Sequence, residues 1–119
     1  GADVLHGGAG DDLLYDRGDD FVDYLNGGAG DDILMGGNGD ILNGGSGADT
    51  FSLITNAHPV IEDFDPANDF IELTYQGPAP ALSTTLTDAG LILQADGVAI
   101  ATFINQTTLE LGQVALIAA

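Results

Sequence analysis

The chain has 119 residues, with one Arg and no Lys against 19 Asp and Glu, and its formal net charge is −18. This charge repels phosphate, so it argues against binding to nucleic acid or to an anionic membrane surface and favours a cation as partner. The chain has no Cys, which excludes disulfides and thiolate metal sites, and no apolar run reaches the roughly 18 residues that a membrane span requires.

The composition divides the chain into two parts. Residues 1–52 hold 14 of the 18 glycines and 11 of the 16 aspartates, without Glu or Pro. Residues 53–119 hold all four prolines, all three glutamates and most of the runs rich in Val, Ile, Leu and Thr. We therefore predict a repeat array over residues 1–52 and a different, terminal segment over residues 53–119. Because the sequence begins part-way through a repeat at Gly1, we expect the chain to belong to a longer polypeptide.

The first part is an array of nine-residue repeats. Its regular copies read G-G-x-G-x-D-x-U-x, where U is apolar, and they begin at Gly7, Gly27 and Gly44. Residues 1–6 fit the tail of this frame, residues 36–43 are a copy one residue short, and residues 16–26 are a distorted copy that contains Gly18-Asp-Asp20-Phe-Val22. Tandem repetition of this kind is typical of a solenoid, in which one repeat cannot bury its apolar face but stacked coils can.

Each part of the frame has a physical role. Glycines at positions one, two and four allow a tight turn with positive φ and leave backbone carbonyls uncovered, and the sixth-position Asp adds a carboxylate. A ligand set made only of oxygens favours Ca²⁺. The three residues after the Asp form a short strand, whose eighth position points inward and whose seventh position points outward. The predicted inward residues are Leu5, Leu14, Val22, Leu34, Leu42 and Phe51, and the predicted outward residues are Val4, Leu13, Phe21, Ile33 and Ile41.

Two other readings of a sequence rich in Gly and Asp are a flexible linker and a phosphate-binding loop. A linker lacks an apolar residue at a fixed place in a period. Gly8-Ala-Gly10 begins like a dinucleotide-binding fingerprint, but Leu13 stands where its third Gly belongs, and two aspartates adjoin the turn. Both alternatives are therefore disfavoured.

Residues 1 to about 75 resemble the β-roll of the RTX family, which comprises secreted calcium-dependent toxins, proteases, lipases and polysaccharide-modifying enzymes exported by type I secretion systems. The resemblance implies an all-β fold, a parallel β-roll or solenoid stacked on several calcium ions. It also implies that each Ca²⁺ lies between repeats n and n+2, bound by carbonyls and the Asp of both loops. Carried over position by position, one site takes Gly8, Gly10 and Asp12 with Gly27, Ala29 and Asp32, and the next takes Gly28, Gly30 and Asp32 with Gly44, Ser46 and Asp49.

Alternate repeats share one side of such a roll, so the frame predicts two unequal edges. The regular copies, with Asp12, Asp32 and Asp49, fall on one edge, and the irregular copies, with Asp3, Asp20 and Asp40, fall on the other. On the irregular edge we expect Asp20 and Gly18 to meet Gly36, Asn38 and Asp40, and Gly1 with Asp3 to meet Asp20. We expect full calcium occupancy on the regular edge and partial or distorted occupancy opposite. The fifth-position residues Asp11, Asp19 and Asp31 are expected to face solvent.

The terminal segment is predicted to close the roll. Residues 60–73 resemble the stretch I-x-D-F-x-x-x-x-D-x-I-x-L that follows the repeats in RTX proteins, and Asp63 and Asp69 are candidates for a last calcium site, with Asp65 behind them. Residues 82–87 read as a strand, and residues 91–104 read as a hairpin about Asp96-Gly97. The family parallel makes residues 109–119 a strand or short helix packed on the roll. A strand and hairpin cap of this kind is needed because an open coil end exposes unpaired edges and core side chains.

We interpret the chain as a calcium-binding module, itself non-catalytic, that folds on binding Ca²⁺ and supports the folding and type I secretion of a larger extracellular bacterial protein. Its expected partners are calcium, the remainder of the parent polypeptide and the type I secretion machinery, and we expect a monomer. The alternative is an accessory domain that resembles the R-modules of alginate epimerases and binds an acidic polysaccharide. Catalysis is disfavoured because the repeat accounts for every carboxylate pair, and no Ser/His/Asp constellation is present.

Overall fold

The computed structural model describes residues 4–16, 21–55 and 57–119, and these residues form twelve β-strands and one 3-10 turn. No helix in this described part of the chain has the length and apolar character of a membrane span. The strands are β1 (Val4–His6), β2 (Leu13–Asp16), β3 (Tyr24–Asn26), β4 (Ile33–Gly36), β5 (Ile41–Asn43), β6 (Thr50–Ile54), β7 (Val60–Ile61), β8 (Phe70–Tyr75), β9 (Leu82–Thr87), β10 (Gly90–Ala95), β11 (Val98–Phe103) and β12 (Val114–Ala118), and the 3-10 turn spans Leu111–Gln113.

Strands β1 to β8 wind as a parallel coil, alternating between two sheets. One sheet has the order β1-β3-β5-β7-β11-β10-β9, and the other has the order β12-β8-β6-β4-β2. Odd-numbered strands of the coil pair only with odd-numbered ones, and even with even, because each strand is followed by a loop that crosses to the opposite sheet. The predicted fold class, an all-β parallel β-roll, is confirmed.

The core is two rows of apolar side chains, one from each sheet. In one sheet the register places Leu14 beside Leu34, then Phe51 and Ile71. The other sheet aligns Leu25, Leu42, Ile61 and Phe103 in the same way. All eight are at most 5% exposed. Burial of such a side chain contributes roughly 1.5–3 kcal/mol, so stacking coils is what makes each three-residue strand stable.

The inward residue of the distorted copy is Leu25, and the prediction of Val22 was wrong. Val22 is 53% exposed, whereas Leu25 is fully buried between Leu5 and Leu42 in the register. The error arose because the copy was aligned forward from Gly18, when the strand is set by the loop that follows it. The other predicted inward residues in β2, β4, β5 and β6 are buried, and Leu5 packs against the core while half-buried.

The terminal segment caps the roll at one end. Strand β11 pairs parallel with β7, and β10 and β9 continue antiparallel, so the predicted hairpin extends the first sheet. Its turn is at Asp96 and Gly97, both with positive φ. Strand β12 pairs parallel with β8, as the prediction of a strand on the roll requires. Phe64 joins cap to roll, because its ring meets Phe51 and Phe103 edge to face at centroid distances of 6.2 and 5.5 Å.

Candidate metal centre

The loops between the two sheets form two edges of the roll. Residues 7–12, 27–32, 44–49 and 62–69 cross on one side, which we call the regular edge. Residues 37–40 and the described parts of 17–23 and 55–59 cross on the other, which we call the irregular edge. Asp12, Asp32 and Asp49 therefore lie on one edge, as the period predicted, and Asp40 lies on the other.

Glycine is required on the regular edge because the loops stack directly on one another. Isolated bridges join Ala9 to Ala29 and Ala29 to Ser46. Gly28 has a φ of +82°, and a Cβ built on it would collide with the carbonyl oxygen of Gly8 in the loop below. Gly45 stands in the same relation to the carbonyl of Gly28. The repeat thus packs a carbonyl of one loop against a glycine of the next coil, where a side chain would not fit.

The sixth-position aspartates of this edge form a hydrogen-bonded ladder. The backbone N–H of Asp12 donates to Oδ1 of Asp32 at 2.8 Å, and the N–H of Asp32 donates to Oδ1 of Asp49 at 2.9 Å. The N–H of Asp49 in turn donates to Oδ1 of Asp69 at 2.9 Å, so the ladder runs into the cap. One oxygen of each carboxylate from Asp32 onward is therefore fixed by the preceding coil.

The second oxygen of these carboxylates has no such partner. Oδ2 of Asp12, Asp32 and Asp49 is buried and accepts no hydrogen bond within the described residues. A Cβ on Gly27 would lie 2.5 Å from Asp32 Oδ2 and 2.7 Å from the carbonyl oxygen of Gly44, so the missing side chain leaves a space flanked by both oxygens. Gly7 leaves the same space between Asp12 Oδ2 and the carbonyl of Gly27, at 2.6 and 2.8 Å. Buried, unpartnered carboxylate oxygens beside carbonyls fit a hard cation such as Ca²⁺.

Burial and mutual repulsion raise the pKa values along the ladder. Burial raises the pKa of Asp49 to about 7, the carboxylates of Asp69 and Asp32 contribute to the rise, and the N–H donated by Asp32 opposes it. The pKa values of Asp32 and Asp69 are raised for the same reason, burial first. Charged carboxylates are therefore costly on this edge until a cation balances them.

The irregular edge holds a carboxylate cluster of different composition. Ligand oxygens of Asp16, Asp23 and Asp40 lie within 4.8 Å of one another. The N–H of Asp23 donates to Oδ1 of Asp40 at 2.9 Å, which is the same ladder contact as on the regular edge. Oδ2 of Asp40 differs, because it accepts the N–H of Gly37 at 2.7 Å. The next loop on this side contributes His58 and Pro59 instead of an acid.

The cap loop places Asp63 and Asp69 on the regular edge, with their oxygens held by backbone N–H groups. Oδ1 and Oδ2 of Asp63 accept the N–H groups of Gly44 and Gly45, both at 2.8 Å. Asp69 accepts from Asp49 through Oδ1 and from Asp65 through Oδ2, the latter at 2.9 Å. Both residues therefore accept hydrogen bonds from the last repeat loop, and a calcium site at Asp63 and Asp69 stays a prediction.

Comparison with known proteins identifies the array. Residues 1–22 and 17–51 match the family model of the RTX calcium-binding nonapeptide repeat, which comprises four copies. This part of the chain is an array of RTX calcium-binding repeats. Such repeats are a non-catalytic, calcium-binding module.

Two solved structures show where similar rolls occur. The AlgE6R3 subunit of the mannuronan C5-epimerase from Azotobacter vinelandii is 28% identical with a TM-score of 0.68, over 95% of this chain and 77% of that chain. The extracellular lipase LipA from Serratia marcescens is 27% identical with a TM-score of 0.53, over 95% of this chain and 20% of the lipase. A search of curated protein sequences gave no match.

The predicted ligands of the regular RTX edge lie in adjacent loops. Gly8, Gly10 and Asp12 stack against Gly27, Ala29 and Asp32, and Gly28 and Gly30 stack against Gly44, Ser46 and Asp49. The carbonyl oxygen of Gly28 also accepts the N–H of Ser46 at 3.1 Å. That these carbonyls and carboxylates bind metal stays a prediction.

On the irregular RTX edge, the described residue that makes the ladder contact with Asp40 is Asp23. Gly1, Asp3, Gly18, Asp19 and Asp20 lie outside the described residues. Asp40 is in the cluster, whereas Gly36 ends β4 against Leu42 and Asn38 is exposed in a turn. A signal for Asp23 was present in the sequence, because Asp23-Tyr-Leu-Asn-Gly-Gly28 repeats as Asp40-Ile-Leu-Asn-Gly-Gly45. Reading each strand backward from its following Gly-Gly would have found it.

The fifth-position aspartates have a role beyond solubility. Asp11 and Asp31 are exposed, as expected. Oδ1 of Asp11 accepts the N–H of Asp31, and Oδ1 of Asp31 accepts the N–H of Ala48, both at 2.8 Å. They form a second ladder along the outside of the regular edge, which ends where the third copy has Ala48 in place of Asp.

Proposed function

We propose that this RTX module folds in response to calcium, with Asp12, Asp32 and Asp49 as its principal carboxylate ligands. The observation that carries the proposal is the buried Oδ2 of each residue, which accepts no hydrogen bond within the described residues. A bound calcium ion supplies positive charge to these oxygens. Asp32 belongs to two adjacent loop pairs and is expected to serve two sites.

Folding and ion binding are then a single equilibrium. Without a cation, closing the roll places Asp32, Asp49 and Asp69 in one buried row, and their mutual repulsion opposes folding. The ladder N–H groups bind only one oxygen of Asp32 and of Asp49, and the second oxygen of each is buried without a hydrogen bond within the described residues. Because an unfolded chain has no preformed site, the free energy of binding becomes free energy of folding.

We also propose that this response serves export of a larger protein. A chain that stays unfolded in calcium-poor cytosol and folds in calcium-rich surroundings suits type I secretion from bacteria. The similar Serratia lipase, of which this chain spans only 20%, is extracellular, and this likeness supports a secreted parent. The remainder of that parent polypeptide and the secretion machinery are the expected partners.

The experiment is circular dichroism of the 119-residue chain, first in excess chelator and then across a calcium titration. We expect little ordered β signal in chelator and a cooperative gain with calcium. An ordered β spectrum in chelator that calcium does not change would contradict coupled folding. Isothermal titration on the same sample measures binding separately, so a folded protein that still binds calcium would retain the metal site while losing the folding switch.

A second candidate function has its own supporting observation. The similar AlgE6R3 structure is a subunit of a mannuronan C5-epimerase, and this chain spans 77% of it. We propose as the alternative an accessory role on an acidic polysaccharide of the alginate type, in which calcium bridges carboxylates of protein and glycan. Binding of alginate oligosaccharides, measured with calcium and again with chelator, tests this role. Absence of binding in calcium would leave the folding role alone.

A further inference from the structure

Strand β9 is an open edge of the seven-stranded sheet. It pairs with β10 over six consecutive residues, from Leu82 opposite Ala95 to Thr87 opposite Gly90, without a register shift. No other described strand pairs with its far side. An edge of this length presents a row of backbone N–H and C=O groups to any strand that can approach.

The β9 edge lacks the features by which proteins normally prevent such pairing. Residues 82–87 read Leu-Ser-Thr-Thr-Leu-Thr, without charge, Pro or Gly, in a chain of net charge −18. The sheet does contain a bulge, but it lies between β10 and β11, at Leu93/Gln94, and leaves the β9 edge regular. Charge, Pro and bulges are among the usual protections of an edge, and residues 82–87 contain none of them.

A row of apolar core residues in β10 continues onto the same face of β9. Leu91, Leu93 and Ala95 of β10 are buried, and their partners Leu86, Thr84 and Leu82 share the same face. Leu82 packs against the core, while Leu86 is 59% exposed. The row therefore stops with a leucine that lacks a neighbour on its outer side.

We propose that β9 pairs with β9 of a second copy of this chain, antiparallel across a two-fold axis at Thr84. Side chains alternate between the two faces along a strand, and residues opposite each other must lie on the same face. An even-numbered residue of one copy must therefore stand opposite an even-numbered residue of the other. Pairing Thr84 with Thr84 satisfies this condition. This register sets Leu86 beside the partner copy's Leu82 and Ser83 beside its Thr85. It opposes Asp88 to Pro80, so no two acids meet despite the high net charge.

A second copy fits this edge better than an unrelated strand does. The same sequence supplies both sides of the pairing, leucine meets leucine, and the two highly acidic repeat arrays remain at a distance. The pairing would join two seven-stranded sheets into one and correct the expectation of a monomer.

Self-association of the intact chain in calcium-containing buffer tests the proposal. Light scattering after size exclusion, or sedimentation equilibrium, should show a mass rising with concentration from 12.1 kDa towards twice that value. Leu86→Lys should raise the dimer dissociation constant on the order of tenfold or more, because it places a charge against the partner's apolar side chain. Val98→Lys is the matched control, since Val98 is also 59% exposed but does not lie in β9.

A single introduced cysteine tests the register. The chain has no Cys, so Thr84→Cys places one thiol on the two-fold axis, where opposing Cα atoms are roughly 4.5–5.5 Å apart and can form a disulfide. Thr87→Cys is the control, because the two introduced thiols would then be separated by about 20 Å along the strands. Rapid oxidative cross-linking of the first variant alone supports the pairing. A monomer at every concentration, a dimer that Leu86→Lys leaves intact, or equal cross-linking of both variants would overturn it.

Discussion

Asp32 is the residue on which the regular edge depends most. Its Oδ1 accepts the N–H of Asp12, its own N–H donates to Asp49, and its buried Oδ2 accepts no hydrogen bond within the described residues. One carboxylate thus joins two coils through hydrogen bonds and offers its remaining oxygen to a cation. The two functions can be separated by substitution.

Asp32→Asn should raise the calcium concentration at the folding midpoint on the order of tenfold or more, since even partners of metal ligands are worth about 10- to 100-fold in affinity. Asn keeps an oxygen that can accept the N–H of Asp12, so the loss reports the ligand rather than the ladder. Asp88→Asn removes the same charge from an exposed turn and should leave the midpoint almost unchanged. Equal effects of the two variants would show that bulk charge alone sets the midpoint.

Asp49 makes the metal-free protein sensitive to pH. Its pKa is raised to about 7 in the folded chain, against about 4 in an unfolded chain. Between these values the folded state holds a proton that the unfolded state has lost, so the stability of the metal-free form falls as pH rises from about 4 to about 7. The ordered β signal in chelator should therefore be larger at about pH 5 than at about pH 8. Calcium should reverse the trend, because the metal requires the deprotonated carboxylate.

Gly27 is needed for space rather than for backbone conformation. Its φ is not positive, yet a Cβ would lie within 2.7 Å of both Asp32 Oδ2 and the carbonyl of Gly44. Gly27→Ala should therefore weaken calcium binding and lower the unfolding midpoint. Gly112→Ala is the control, because nothing lies within 4 Å of that position. Calcium titration of both variants measures the effect on binding. An unchanged calcium midpoint for Gly27→Ala would show that this space is not part of the site.

At the scale of elements, the nine-residue frame was sufficient wherever the repeat was regular. It placed Leu14, Leu34 and Phe51 in the core and their preceding aspartates on one edge, because the loops before these strands have a constant length. The frame failed at β3, because extra residues stand between Asp19-Asp20 and the strand. Leu25 therefore occupies the core position that the frame assigned to Val22. The roles of the two carboxylate oxygens could not be predicted at all, since side-chain rotation is not encoded in spacing.

The corrected frame of β3 has a direct test in two truncations. Leu25→Ala should destabilise the calcium-bound protein by about 2–5 kcal/mol, because it removes a fully buried side chain between coils. Val22→Ala should change stability by less than about 0.5 kcal/mol, as surface substitutions usually do. Denaturant unfolding in saturating calcium measures both. A larger loss of stability for Val22→Ala than for Leu25→Ala would show that Val22 is the inward residue, as the alignment from Gly18 predicts.

At the scale of the whole molecule, a net charge of −18 opposes compaction through two kinds of repulsion, one between exposed acids and one among buried carboxylates. Ions reduce these two repulsions to different extents. Repulsion between exposed acids is screened by any salt, and the screening length falls to about 3 Å at 1 M. Repulsion among the buried ladder carboxylates is screened much less, because solvent ions do not reach them. Only a cation that enters the edge and accepts several oxygens can balance this second charge.

Comparing the effects of different salts on folding therefore separates the repulsion between exposed acids from the repulsion among the buried carboxylates. Starting from the chelated chain, millimolar Ca²⁺ should restore the β spectrum, and NaCl at the same or much higher ionic strength should restore only part of it. Mg²⁺ should also fail, because it demands near-ideal octahedral geometry at about 2.0–2.1 Å and loses its water reluctantly, whereas Ca²⁺ accepts a larger and more flexible set of oxygens. Circular dichroism under the three conditions makes the measurement. If NaCl or Mg²⁺ matched Ca²⁺, the charge of the chain, and not the geometry of its regular edge, would control folding.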